Sequence, residues 1–200
     1  MAGVVAHVIT RFVNGQFVMD EVDGAREQYL TRLDRAFRAS DWTLCWYALM
    51  GNHVHLGAIC GEDPLDAWAK GLHCGWANWI NRTGRRAGGR HRGPILADRP
   101  KTLLIPDERA SLLGCCTHNN PVRAGVVPSP EQCTWTSHRA YLGLEAPPEA
   151  LDVARGLSLF GCTPSTQGRS QFHEVVRARG PVGHNTGKVV RRYPRHGCHS

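Results

Sequence analysis

His53 and His55 stand two residues apart in Met50-Gly51-Asn52-His53-Val54-His55-Leu56. On a β-strand, positions two apart point to one face, so the two imidazoles lie side by side while Val54 faces the other way. Two such nitrogens make half a site for a divalent metal; the same pattern also serves two histidines that are simply packed or hydrogen-bonded in place. A second chemistry is offered by Arg82, Arg85, Arg86, Arg90 and Arg92, set among glycines between residues 82 and 93. Guanidinium forks at this density suit phosphate, or form a solvated charged loop. The eight cysteines are scattered, include no CxxC pair and are read as reduced thiols.

These side chains need a scaffold, and hydrophobic periodicity supplies one. Val4 to Val13 alternates and is rich in β-branched residues, which predicts a strand, and Asn14-Gly15 follows as a turn. Tyr29, Leu30, Leu33, Ala36 and Phe37 recur at helical steps after Asp23-Gly24 and predict an amphipathic helix that ends near Ser40. Trp42 to Met50 and His53 to Cys60 read as a hairpin around Gly51-Asn52. Pro64 opens a helix with Leu65, Trp68, Ala69, Leu72, Trp76, Trp79 and Ile80 on one face, where the tryptophans read as core. Arg82 to Gly93 is expected to be an exposed basic loop, a strand is expected within Ile95 to Ile105, and Pro106-Asp107 starts a helix that stops at Pro121, with His118 an exposed polar residue on its final turn.

Strand, helix, strand, strand, helix, strand is the order of an α+β, ferredoxin-like (split βαβ) antiparallel sheet with helices on one face. Here a C-terminal helical extension and a basic tail follow. The expected organisation is a domain over 1–145, a helical extension over 146–180 beyond Ala146-Pro147-Pro148, and a basic, flexible tail over 181–200.

The 24 basic residues against 17 acidic give a net charge of +7, and only Lys70, Lys101 and Lys188 among the basic residues are not arginines. That balance favours a polyanionic partner, with nucleic acid first. The opening Met1–Val8 has neither the charged start nor the apolar length of a secretory or membrane segment. A cytoplasmic protein without a membrane partner is therefore expected.

Three ordered stretches carry a resemblance. Tyr47-Ala48-Leu49-Met50-Gly51-Asn52-His53-Val54-His55-Leu56 resembles the signature of the HUH tyrosine transposases, in particular the REP-associated kind related to insertion-sequence-200 elements. Asn120-Pro121-Val122-Arg123-Ala124-Gly125 resembles that family's Asn-Pro-Val-Arg-Ala-Gly block, and Trp135-Thr136-Ser137-His138 resembles its Trp-Ser-Ser block. Fainter similarity reaches His7-Val8-Ile9-Thr10-Arg11 and Leu157-Ser158-Leu159-Phe160-Gly161, so most of residues 7 to 180 is covered in order.

The resemblance implies binding of single-stranded or stem-loop DNA and a divalent metal, Mg²⁺ or Mn²⁺, on the two histidines. It also implies attack on the scissile phosphate by a helix-borne tyrosine, giving a 5′-phosphotyrosine link that is later rejoined. Carried onto this chain, His53, His55 and Asn120 are the metal ligands, and Cys116 occupies the tyrosine position. A thiol matches phosphoryl transfer poorly, so covalent chemistry is expected to be impaired. Tyr29 and Tyr47 read as core and Tyr141 as part of the Trp-Ser-Ser block, which leaves Tyr193 as the tyrosine free to move. Arg82, Arg85, Arg86, Arg90, Arg92, Arg123, Arg191 and Arg192 are the expected DNA contacts. A monomer and a homodimer both fit. Two further readings are a non-catalytic DNA-hairpin-binding protein and an RNA-binding sheet; the second lacks exposed aromatic pairs near His53 to Leu56.

Overall fold

The structure, a computed structural model, describes residues 2–86, 93–180 and 191–192. The elements run β1 (Val5–Arg11), α1 (Val18–Glu21), α2 (Ala25–Arg38), β2 (Thr43–Leu49), β3 (His53–Ile59), α3 (Leu65–Arg86), β4 (Lys101–Ile105), α4 (Asp107–His118), α5 (Asn120–Arg123), α6 (His138–Leu142), α7 (Val153–Ser158), α8 (Thr166–Ala178) and β5 (Arg191–Arg192). The sheet order is β2-β3-β1-β4-β5, and every neighbouring pair is antiparallel. The first four strands have the split βαβ arrangement expected from the sequence, with β1 and β3 in the centre.

Alternation divides the two faces. Ala6 and Val8 of β1 and Val54, Leu56 and Ala58 of β3 point into the main core, against Tyr29, Leu33 and Phe37 of α2 and Trp68, Leu72, Trp76 and Ile80 of α3. Trp76 is fully buried, stacks on Phe12 at 5.1 Å and donates its indole N–H to the Ala25 carbonyl at 2.9 Å. Burying its apolar ring and satisfying its one donor together anchor α3 on the sheet.

The opposite face holds a smaller core. Val5, Ile59 and Ile105 pack there with Cys45 and Trp46 of β2 and with Ala110 and Leu113 of α4. A β-bulge between Leu44 and Trp46 places two residues of β2 where the partner strand has one, so Cys45 and Trp46 both belong to this cluster. The helix that follows the sandwich therefore covers the second face, the one that carries the odd-numbered residues of β3.

One local expectation is corrected. Residues 82–86 do not belong to a loop, because α3 continues through Arg86; arginine is a strong helix former and outweighs the cost of Gly84. Arg82 lies exposed on that helix, and Asn81 fastens its end by donating to the Gly93 carbonyl at 3.1 Å. Arg90 and Arg92 lie outside the described residues, as does the tail apart from Arg191–Arg192. That dipeptide pairs with Leu103 and Leu104 as an edge strand. The strand expected within Ile95 to Ile105 is Lys101–Ile105, and Leu96 bridges to Phe12.

Segment 146–180 packs on the same body. Leu151 bridges to Leu44 in parallel, Asp152 N–H donates to the Leu44 carbonyl at 2.9 Å, and Asn119 donates to the Val176 carbonyl of α8 at 2.8 Å. Asp152 caps α7 by accepting from the Arg155 N–H at 2.8 Å. Asp152→Ala is expected to lower unfolding free energy by about 1 kcal/mol in urea titrations, the usual worth of such a cap. No loss would mean that the cap is silent.

Candidate functional site

The second face of the sheet collects histidines. His53 and His55 alternate with Val54 as β3 requires, and their ring centroids are 4.7 Å apart with planes nearly perpendicular. His7 of β1 joins them: its Nε2 lies 2.8 Å from Nδ1 of His55, and the rings stack at 5.0 Å. Ile9 is the register partner of His55 and Gly57 that of His7, so His7 sits diagonally from His55 on the same face. His7 was not among the expected ligands, because strand register is invisible to composition and period.

His53 is held in a definite form. Asn52 Oδ1 lies 2.6 Å from His53 Nδ1, and because that oxygen can only accept, Nδ1 carries the proton. Nε2 then keeps its lone pair, the arrangement a metal ligand needs. Burial lowers the pKa of His53, and the nearby Arg11 guanidinium lowers it further, so the ring is neutral near pH 7.

Helix α4 lies across this face, packing on β1, β2 and β3. Cys116 is half-buried in its last turn, and Asn120 is the half-buried first residue of α5. Burial raises the Cys116 pKa, against a downward pull from the Arg123 and Arg179 guanidinium groups. The thiol is thus mainly protonated near pH 7, a poor nucleophile. Arg123 itself keeps one buried guanidinium nitrogen, Nη1, without a hydrogen-bond partner. The structure thus brings His53 and His55 together, while among the described residues Cys116 joins no trio of histidine, cysteine or carboxylate ligand atoms within 4.8 Å.

The basic segment ends at the same edge of the sheet. Val13 donates to the Ile95 carbonyl, and Ala97 donates to that of Arg11, both at 2.9 Å. Arg11 is in turn the register partner of His53. Chain leaving the arginine-rich stretch therefore rejoins the sheet beside the histidines. No helix among the described residues is long and apolar enough to cross a membrane.

His118 corrects another expectation. Read as an exposed residue on a final helical turn, it is fully buried among Tyr141, Phe172, Phe160 and His138. Helices α6 and α8 close over α4, which no local pattern announces. Burial and the neighbouring His138 hold its pKa well below the usual imidazole range.

Solved structures share this fold. The fold is shared with a transposase. The structure of a REP-associated tyrosine transposase bound to a REP hairpin superposes with a TM-score of 0.56 at 14% identity, over 76% of this chain and 88% of that one. At that identity the likeness to the transposase establishes the fold alone. No protein-family model matches the sequence, and no curated protein matches it.

Proposed function

We propose that this chain is an HUH-transposase-family protein that binds single-stranded or stem-loop DNA, with metal-dependent strand cleavage and joining as its inherited activity. The observation that carries the reading is the pair His53–His55, set on the strand face that α4 crosses, in the fold of a transposase bound to a DNA hairpin. Residues 1–145 would form the DNA-handling unit, working in the cytoplasm as monomer or homodimer.

His53 and His55 would hold Mg²⁺ or Mn²⁺, with Asn120 offering an amide oxygen as third ligand. Two neutral imidazoles and one oxygen donor fit such an ion, and Asn52 presents His53 in the metal-competent form. When bound, the metal polarises a phosphate oxygen. Asn52 orients His53, and His7 steadies His55. Arg123, with one nitrogen unpartnered, would neutralise a phosphate next to Cys116, and the exposed Arg82 would contact backbone further along the strand. Arg85, Arg86, Arg90, Arg92, Arg191 and Arg192 complete the proposed contacts. Tyrosine is missing at the nucleophile position, and the protonated thiol of Cys116 replaces it poorly.

Labelled hairpin DNAs incubated with the protein and Mn²⁺ test this reading. Binding without a covalent adduct is expected from the wild type, and a covalent adduct from Cys116→Tyr. Asn52→Ala should weaken Mn²⁺ binding roughly 10–100-fold, as loss of an outer-shell partner does, and His55→Ala should weaken it more. Unchanged Mn²⁺ affinity in His55→Ala would remove the metal site from the proposal.

The Cys116 thiol favours a second reading, a non-catalytic DNA-hairpin binder, domesticated or decaying. In that case hairpin binding falls steeply with salt and survives His53→Ala, and Cys116→Tyr restores no cleavage.

A further inference from the structure

Away from the β3 histidines, three ligand-bearing side chains from separate elements converge: Glu131 on the turn at Pro130–Gln132, His138 at the start of α6, and His173 on α8. One ligand atom from each lies within 4.8 Å of the other two. His138 Nε2 and His173 Nδ1 are 3.1 Å apart, and His173 Nε2 is 4.0 Å from Glu131 Oε2. Two nitrogens bound to one tetrahedral Zn²⁺ at about 2.0–2.1 Å stand about 3.3 Å from each other, close to the separation found here.

We propose that Glu131, His138 and His173 form a second metal site, one that takes a single Zn²⁺ and fastens α8 to the turn before α6. Two imidazoles and one carboxylate are a zinc donor set that leaves a fourth position open. The polar atoms also lack better partners. His138 is fully buried, its Nε2 meets His173 Nδ1, and Glu131 Oε2 is buried without a hydrogen bond. A carboxylate oxygen left so is costly, and a bound cation relieves it. Glu131 and His173 keep side-chain exposures of 31% and 23%, which gives an ion a way in from solvent.

The site has a structural consequence for α4. Helix α8 accepts hydrogen bonds from Asn119 and, through sulfur, from Cys115, and its Phe172 packs on His118. Zinc at Glu131, His138 and His173 therefore buttresses the turn that carries Cys116, and it does so whether or not the chain handles DNA. This inference does not rest on the transposase reading.

Metal-stripped full-length protein titrated with Zn²⁺ and, separately, Co²⁺ provides the test. One sub-micromolar equivalent of Zn²⁺ that persists in His53→Ala is expected, together with a rise in melting temperature, since an ion that binds only the folded chain stabilises it. Co²⁺ should give tetrahedral d–d absorption without a thiolate charge-transfer band. Glu131→Gln and His173→Ala, both at partly exposed positions, should each weaken Zn²⁺ binding at least about tenfold, whereas His53→Ala should leave it unchanged. No bound equivalent in the wild type overturns the site. So do wild-type affinity in Glu131→Gln, and a thiolate band that puts the ion on cysteines. Should His173→Ala fail to fold, Glu131→Gln and the wild-type Co²⁺ spectrum decide.

Discussion

Mild acid is expected to destabilise this protein well before its carboxylates protonate. In metal-stripped protein, urea unfolding at about pH 5 should yield about 2 kcal/mol less stability than at about pH 7.5 from His73 alone. His73 is buried on α3, where its Nε2 meets the hydroxyls of Thr10 and Tyr29, each at 3.0 Å. Burial pushes its pKa down to about 4, despite an opposing backbone hydrogen bond at Ala69. The unfolded chain, with an ordinary imidazole near 6.5, takes up a proton that the folded chain refuses. Stability is therefore complete above about pH 6.5 and is lost as pH falls through the window from about 6.5 to about 4. His118, held well below the usual imidazole range by burial and by His138, adds to the loss in the same direction. His73→Gln should start less stable and show a flatter slope. An unfolding free energy that stays constant across this window in the wild type would refute the buried neutral imidazoles.

His73 also shows where the sequence is readable and where it is not. It falls within the helix predicted after Pro64, because Trp68, Leu72, Trp76 and Ile80 mark that face by period. Its burial and its hydroxyl partners on β1 and α2 depend on tertiary packing, which period does not encode. The candidate site divides in the same way. His53 and His55 were legible, since alternation alone puts both on one face. His7 was not, because its approach to His55 depends on the register of β1 against β3. The Glu131–His138–His173 cluster was equally hidden: its members are 7 and 35 residues apart along the chain and meet only because α8 folds back on α6. The arginine-rich stretch misled through composition. Glycine and arginine together suggest a loop, yet arginine prolongs α3 through Arg86. His118 misled through position, since a polar residue at a helix end is normally solvated unless other elements cover it.

Gly57→Ala should cost about 3 kcal/mol, the upper end of overpacking penalties, and should disturb the histidine face as well. A methyl group at Gly57 would lie 2.0 Å from Trp46 Nε1 and 2.1 Å from Cε2. The indole cannot retreat. It is fully buried, shares its cluster with Val5, Ile59 and Leu113, and meets Phe160 edge-on at 6.0 Å. The strain must pass into β3 two residues from His55, and into β1, where His7 is the register partner of Gly57. Gly57→Ala is therefore expected to lower both the melting temperature and the Mn²⁺ affinity, whereas Asp152→Ala lowers only the first. Gly71→Ala serves as the opposite control. Nothing lies within 4 Å of a Cβ there, and alanine in an exposed helical position should add about 0.5–1 kcal/mol. Trimming the indole in the double variant Trp46→Phe/Gly57→Ala should recover part of the loss relative to the two single changes summed. If Gly57→Ala melts with the wild type, the indole does not lie over β3, and the account of how this face is held together fails.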